Sequence, residues 1–342
     1  MKTQKMPGFG NYGQIIDDLD FADCSAEQWS EIGKSHLKQL VTVIRNPKNL
    51  DQDEFLRRIA MFGIEKNTMH ILNRKKEGRP VKDFGYGGFQ KEKTAQGNLI
   101  HRVTGAKDEN GNMLGAFGCG DLGWHSNEGG QLTFAPEVAL LANHKMKGSA
   151  TSFMQTADFY ETASESLRSE LDNMILVHAY KPGAICETEK EDSNFGYSVR
   201  MNFCPTDGLE TPLVITSPGG TKGLHFPVNS ASHIKGVSKE ESDKIFAMLH
   251  RELFVEKYMY EHWYEHDNDF VLFDNSITLH NRIGGEPDRK MYRIQYEPTH
   301  LLDGPWYPYS QQEYHEVYVK QNQEIMEYLG ETTYKMPLLD RS

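Results

Sequence analysis

The sequence predicts a mainly β protein, a β-sandwich or jelly roll with helices packed around it. Short β-branched and aromatic runs recur between turn-forming residues, with a few helical patterns inserted among them. Strands and helices do not alternate regularly, which argues against a doubly wound parallel sheet. No GxGxxG follows a strand and no GxxxxGKS/T occurs, so neither glycine-rich phosphate cradle is present.

The elements follow in order. Ser25-Ala-Glu-Gln has the form of a capping box and opens a helix through Trp29, Ile32, His36 and Leu40. Leu40-Val-Thr-Val-Ile-Arg45 is a β-branched strand, broken by Pro47. Asp51 to Phe62 begins with acidic residues and stops at Gly63, as a helix does. Arg74 to Gly88 reads as a long loop. Asn98 to Thr104 is a strand, and Asp108-Glu-Asn-Gly-Asn112 is a hairpin-turn signal. Strands are expected at 131–134, 137–142 and 151–155, then one helix from Ala157 to Met174. Further strands are expected at 197–203, 213–216, 270–273 and 291–297. Ser238-Lys-Glu-Glu caps a helix running to about Phe254, and Gln311 to Leu329 reads as helical.

The 342 residues carry a formal net charge of −12 and 17 Phe, 16 Tyr and 4 Trp, enough aromatic bulk for a sizeable core. An acidic chain without a basic block is a poor fit to a nucleic-acid backbone or an anionic membrane surface. No apolar run reaches the length of a bilayer span. The N-terminal residues lack the apolar region of a signal peptide. Cys24, Cys119, Cys186 and Cys204 show no CxxC spacing, so neither a disulfide framework nor a cysteine zinc site is expected. The expectation is a single cytoplasmic domain over residues 1–342. Its partner is a small molecule, with no nucleic acid and no membrane. The acidity favours a neutral or cationic substrate, although charge inside the pocket matters more than the total.

Two stretches carry chemistry. Leu122-Gly-Trp-His-Ser-Asn-Glu-Gly-Gly130 sets His125 beside polar and acidic side chains. Phe273-Asp-Asn-Ser-Ile-Thr-Leu-His280 leads on to Arg289 and Arg293. Two imidazoles and an oxygen ligand on one face of a metal leave three adjacent positions open. That geometry suits ferrous iron holding a co-substrate and dioxygen together. A downstream arginine offers a planar fork for a dicarboxylate. His225, in Gly223-Leu-His-Phe, and His262 lack motif support and read as ordinary polar contacts, with His225 a secondary candidate for lining the pocket. Trp263-Tyr-Glu reads as core.

At these residues the chain resembles the TauD/TfdA-like Fe(II)- and 2-oxoglutarate-dependent dioxygenases over about residues 38–298, with a helical extension over about 305–342. Leu40–Arg45 with the following helix and Phe62-Gly63 resembles the family's N-terminal strand and helix. Trp124-His-Ser-Asn127 resembles its W-H-S/T-D iron motif. Ala139-Leu-Leu-Ala142 with Gly148-Ser-Ala-Thr151 is similar to the segment whose threonine contacts 2-oxoglutarate. Asp269 to Asn275, through His280, resembles its G-D-x-x-x-W-D-N…H segment, and Arg289-x-x-x-Arg293 resembles its paired arginines. The resemblance implies a double-stranded β-helix (jelly-roll) core with outer helices. It implies Fe(II), 2-oxoglutarate and O2 as cofactor, co-substrate and oxidant. His125 and His280 would be metal ligands, Arg289 and Thr151 would hold 2-oxoglutarate, and Arg293 would lie nearer the substrate, with the two arginines able to exchange roles. The implied reaction is hydroxylation of an unactivated C–H bond of a small molecule with release of succinate and CO2. A homo-oligomer is expected by family analogy alone.

One position departs from the family motif: Asn127 stands where the resemblance leads one to expect aspartate. Strand alternation would put Asn127 on the face of His125 and turn Glu128 away, whereas a bulge would bring Glu128 inward. Both remain candidates for the third ligand. The departure leaves two alternatives to a hydroxylase: a halogenase or otherwise rewired member with an anion at the iron, and a non-catalytic binding relative.

Overall fold

The computed structural model describes residues 1–65, 91–111, 114, 120–130, 134–179, 209–284, 289–304 and 306. The first part of the chain runs β1 (Lys2–Lys5), β2 (Gln14–Asp17), α1 (Ala26–Gln39), β3 (Val41–Ile44), α2 (Gln52–Ala60) and β4 (Ile64–Glu65). Then come β5 (Lys91–Lys93), β6 (Leu99–Thr104), β7 (Leu122–His125), β8 (Glu137–Ala142) and β9 (Ala150–Gln155). Next are α3 (Ala157–Thr162), α4 (Glu165–Asp172), β10 (Ile175–His178), β11 (Leu209–Pro212), β12 (Val214–Thr216), β13 (Lys222–Leu224) and β14 (Ala231–Ile234). Last are α5 (Lys239–Leu253), β15 (Met259–Trp263), β16 (Phe270–Asp274), β17 (Thr278–Ile283) and β18 (Lys290–Glu297).

A large sheet in the order β1-β2-β3-β16-β8-β18-β6-β5, with β4 added beside β18, faces a smaller one in the order β15-β9-β17-β7. Strand alternation sorts the side chains of the large sheet into two cores. On its outer face Phe270, Leu272, Ala139, Leu141, Tyr292, Ile294 and Tyr296 pack under α1 and α2, with Trp29, Phe55 and Phe62 between. On its inner face Val271, Phe273, Val138, Leu140 and Met291 meet Phe153 and Tyr264 of the facing wall. Phe153 and Phe273 touch across the gap, ring centroids 5.1 Å apart. The other face of the small sheet, with Met154 and Leu279, is covered by α3, α4, α5 and the strands β10 to β14. This is the jelly-roll core with outer helices that the sequence predicts.

The local signals act as the sequence suggests in several places. Ser25 accepts from the Gln28 amide while Gln28 reaches back to the Ser25 N–H, closing the capping box. Ser238 caps α5 from one side, accepting from the Glu241 amide. The Asp108 turn forms, with the Gly111 N–H on the Asp108 carbonyl.

Other expectations need correction. The helix expected from Ala157 to Met174 is two helices, because Ser164 caps a new one by accepting from the Leu167 amide. Residues 175–178, 209–212, 222–224, 231–234 and 259–263 are strands that no alternation marks clearly. Phe134 lies outside any strand. The loop expected at 74–88, the strand at 197–203, residues 131–133 and the helix at 311–329 lie outside the described residues. Among the described residues no helix is long and apolar enough to cross a membrane.

Candidate active site

β7 and β17 run side by side in the small sheet, and their register pairs His125 with His280. Direct cross-strand pairs approach most closely of any side chains in a sheet, and the two imidazole centroids are 4.1 Å apart. Both rings are buried. His280 also packs on Phe273 of the opposite wall at 4.7 Å, so the pair lies on the inner face.

Burial, then the adjacent His125, pushes His280 well below the ordinary imidazole range, and the positive charge of Arg293 adds to the effect. Burial pushes His125 down to about 4, with Arg293 and Arg282 adding to the shift and the Gly123 carbonyl opposing it. Both rings are therefore neutral near pH 7, the state in which imidazole ligates a metal. His125 Nδ1 sits 2.7 Å from the Gly123 carbonyl oxygen, a contact that needs a proton on Nδ1. Its Nε2 is left with the lone pair, and a backbone carbonyl of this kind fixes the tautomer of metal-bound histidines. His280 Nδ1 is buried without a hydrogen-bond partner.

The strand ends at His125, so the alternation argument for Asn127 and Glu128 does not apply. Residues 127–130 form a turn, and Glu128 takes φ of +56°, which non-glycine residues rarely adopt. The turn is held from both sides. Asn275 receives the Asn127 N–H and the Ser126 hydroxyl and donates to the Asn127 and Ala135 carbonyls. From the other side Ser230 donates to the Gly129 carbonyl, and a Cβ at Gly130 would overlap the His178 ring at 2.3 Å. Asn127 is buried, and its Nδ2 has no hydrogen-bond partner. Glu128 accepts a long hydrogen bond, 3.3 Å, from Gln295 of β18. Among the described residues no group of three His, Cys, Asp or Glu side chains is placed to hold a metal ion. A metal at His125 and His280 would need an oxygen from another source, and Asn127 supplies a candidate amide.

Thr151, on β9, is opposite Arg282 in the sheet, two residues along β17 from His280. Side chains two apart share a face, so Arg282 and Thr151 line the same inner surface as His280, about 6.6 Å further along. Arg289 immediately precedes β18 and is buried. Its Nη2 touches Met291 Sδ at 2.8 Å, and its guanidinium lies 5.9 Å from the centre of the Tyr264 ring. Its Nε and Nη1 have no hydrogen-bond partner, and burial pulls its pKa down to about 10. A buried guanidinium with two unused donors is costly unless an anion completes it. Arg293 follows on the same face of β18, with Nη2 3.4 Å from His101 Nε2.

The residues flagged in the sequence are thus brought to one inner surface in part: His125 and His280 as a pair, Thr151 and Arg282 one step along, Arg289 at the start of β18. His225 is fully buried, with Nδ1 2.8 Å from the Ser276 carbonyl oxygen. His262 is buried on β15, 3.2 Å from Asp269. Sequence reasoning leaves Arg282 unmarked, reads Tyr264 as core, and places Asn275 in a motif without assigning it a role. Arg282 shares the period-two face of His280, a signal available once β17 is taken as a strand.

Residues 3–295 match the model of the family described as taurine catabolism dioxygenase TauD, TfdA family. The chain belongs to the TauD/TfdA family. TauD/TfdA members use Fe(II), 2-oxoglutarate and O2, so the chain is a 2-oxoglutarate-dependent dioxygenase and the reading as a non-catalytic relative is set aside. A taurine dioxygenase from Burkholderia xenovorans shares the fold at TM-score 0.60 and 17% identity, over 86% of this chain and 88% of that one. AAD-2 in complex with Mn(II) and N-oxalylglycine shares it at TM-score 0.58 and 15% identity, over 86% of this chain and 96% of that one. No curated protein matches the chain. The matched residues include those of β2 and α1 as well as most of the strands in the two sheets. The orphaned donors of Arg289 and the adjacent neutral imidazoles fit a dicarboxylate co-substrate and a ferrous ion.

Proposed function

We propose that this dioxygenase hydroxylates an unactivated C–H bond of a small organic anion, with His125, His280 and the Asn127 amide oxygen holding the iron. Ferrous iron held there would supply, with O2, the oxidising power for C–H cleavage, 2-oxoglutarate being consumed to succinate and CO2. The chain's own residues orient the reactants. Arg289 clamps the distal carboxylate of 2-oxoglutarate through its two unused donors, and Thr151 donates its hydroxyl to the same group. The step of about 6.6 Å from the His280 row to the Thr151 row suits the span of a five-carbon diacid. Arg293 faces the substrate.

The observation that carries this reading is Arg289, buried and with two donors unused on the inner face that holds the imidazole pair. The preference for an anionic substrate departs from what the overall acidity suggests. It rests on the field inside the site: the charge of Arg293 acts on both imidazoles, and that of Arg282 on His125. A local positive field outweighs distant surface charge that solvent screens.

The test is an anaerobic titration with Fe(II) and 2-oxoglutarate. A weak visible charge-transfer band should develop in the wild type and vanish in His125→Ala and His280→Ala. A screen of small carboxylates, sulfonates and neutral analogues, read as succinate formed, then identifies the substrate class. Wild-type protein that binds neither Fe(II) nor 2-oxoglutarate overturns the reading.

A second reading is supported by the unpartnered Nδ2 of Asn127. An amide hydrogen without an acceptor, beside a metal that lacks a carboxylate ligand, suits an inorganic anion such as chloride. In that case the product would carry a halogen, and its formation would depend on chloride.

A further inference from the structure

We infer that Tyr264 is a positioning residue for the co-substrate: its hydroxyl fixes the Thr151 hydroxyl so that Thr151 donates to the distal carboxylate held by Arg289. The inference rests on the proposal that Arg289 and Thr151 hold that carboxylate.

Tyr264 follows directly on β15 and is fully buried. Its hydroxyl is 2.7 Å from Thr151 Oγ1. The same ring that makes this contact lies 5.9 Å from the Arg289 guanidinium, so one side chain touches both groups assigned to the carboxylate. A phenol is a stronger hydrogen-bond donor than an aliphatic alcohol. The Tyr264 O–H therefore donates, and Thr151 accepts on one lone pair. Burial raises the Tyr264 pKa to about 12, so the donor proton is retained across the working range. With one lone pair engaged, the Thr151 hydrogen must point away from Tyr264. Arg289 and Arg282 have no lone pair to receive it, so an incoming carboxylate is the acceptor that completes the set. Without the phenol, the threonine hydroxyl is free to turn toward a backbone carbonyl of its own strand, as strand and helix threonines do. Donors aligned beforehand spare the bound state an ordering cost.

Tyr264→Phe keeps the ring against Arg289 and removes only the hydroxyl. Calorimetric titration of the Mn(II)-loaded protein under anaerobic conditions should show 2-oxoglutarate bound roughly tenfold more weakly in this variant. Binding of 2-oxopentanoate, which has the same chain but no distal carboxylate, should be unchanged. Thr151→Val should weaken 2-oxoglutarate at least as much, and the double variant should be no worse than Thr151→Val alone, because Tyr264 acts through Thr151. Equal weakening of both oxo acids, or additive effects in the double variant, would mean a general packing role and overturn the inference. So would wild-type affinity in Tyr264→Phe. Should Tyr264→Phe fail to fold, the comparison of Thr151→Val with wild type across the two oxo acids still decides whether that hydroxyl serves the carboxylate. Arg289→Gln separates the two levels. If it too leaves 2-oxoglutarate binding intact, the co-substrate site itself is misplaced. If it weakens binding and Tyr264→Phe does not, only the role of Tyr264 falls.

Discussion

The side chain of Asn275 grips both backbone groups of Asn127: its Oδ1 accepts the Asn127 N–H at 2.8 Å, and its Nδ2 donates to the Asn127 carbonyl at 2.8 Å. A single amide thereby replaces the ladder partner that a strand would have supplied at this point, and the turn after His125 keeps a fixed course. Removing it should loosen the iron site without touching a ligand. Asn275→Ala is expected to lose about 10- to 100-fold in Fe(II) affinity, the usual cost of losing a group that orients a ligand. Asn275→Asp keeps the acceptor but sets a carboxylate against two carbonyls, and should be no better. Competition with a chromophoric chelator measures the affinity, and a thermal melt checks that the variants fold. A folded Asn275→Ala protein with wild-type metal affinity would show that the turn needs no such support.

Much of this fold is legible in the sequence because its signals are local. The Ser25 capping box, the Ser238 cap and the β-branched run before Arg45 each specify their element within a few residues. The missed break at Ala163–Ser164 is also local: Ser164 followed by two exposed turns reads as helix interior until the cap is seen. The site was half legible for a different reason. His125 and His280 sit in recognisable motifs, but their pairing is a matter of register between strands 155 residues apart in number. The course of the chain at Asn127 is set by Asn275, 148 residues away, and no periodicity around residue 127 encodes that. Tyr264 belongs to an apolar-looking segment whose neighbour Trp263 is 42% exposed. Only the tertiary structure shows that the hydroxyl, not the ring, is the informative atom.

Arg289, just before β18, and Arg293, within it, should separate in their effects. Arg289→Gln leaves a buried carboxylate unpaired and should weaken 2-oxoglutarate by about 2–5 kcal/mol. Arg293→Gln should leave 2-oxoglutarate affinity near wild type and raise KM for the substrate. Replacing the substrate's acidic group with its amide should erase the difference between wild type and Arg293→Gln. Reversal of the two patterns would exchange the roles of the arginines. Unchanged binding in both variants would place the co-substrate elsewhere.

Stability should fall on acidification, and His225 allows that slope to be dissected. Burial holds its pKa down to about 4, against about 6.5 in the unfolded chain. Between those values the unfolded chain binds a proton that the folded protein refuses, so stability declines as pH falls through this window and levels off below it. Each such group contributes up to about 1.4 kcal/mol per pH unit. His225→Asn can keep the hydrogen bond to the Ser276 carbonyl, since an asparagine Nδ2 can stand near Nδ1, while removing the titration. Denaturant melts between pH 7 and pH 4 should then show a shallower decline for His225→Asn. Parallel slopes in the two proteins would mean that the buried imidazole does not stay neutral.

The last prediction concerns the neutral side chain at residue 127. Asn127→Asp supplies the negative charge that the family motif leads one to expect, beside two neutral imidazoles. With a metal bound, that charge strengthens ligation, and Fe(II) affinity should rise at least tenfold. Without metal the same carboxylate is buried among groups that offer it no described hydrogen bond, so the metal-free variant should melt below wild type. Addition of Mn(II) or Fe(II) should therefore raise the Tm of Asn127→Asp by more than it raises that of wild type. If an anion such as chloride fills the third position in the wild type, the substitution should also remove any dependence of the product on chloride and leave hydroxylation. Glu128→Gln is the companion variant: because the Glu128 carboxylate reaches Gln295 on β18, its loss should spare metal binding. Metal affinity that collapses in Glu128→Gln and is indifferent to Asn127→Asp would assign the third ligand to Glu128, requiring the turn after His125 to reverse its course when iron binds.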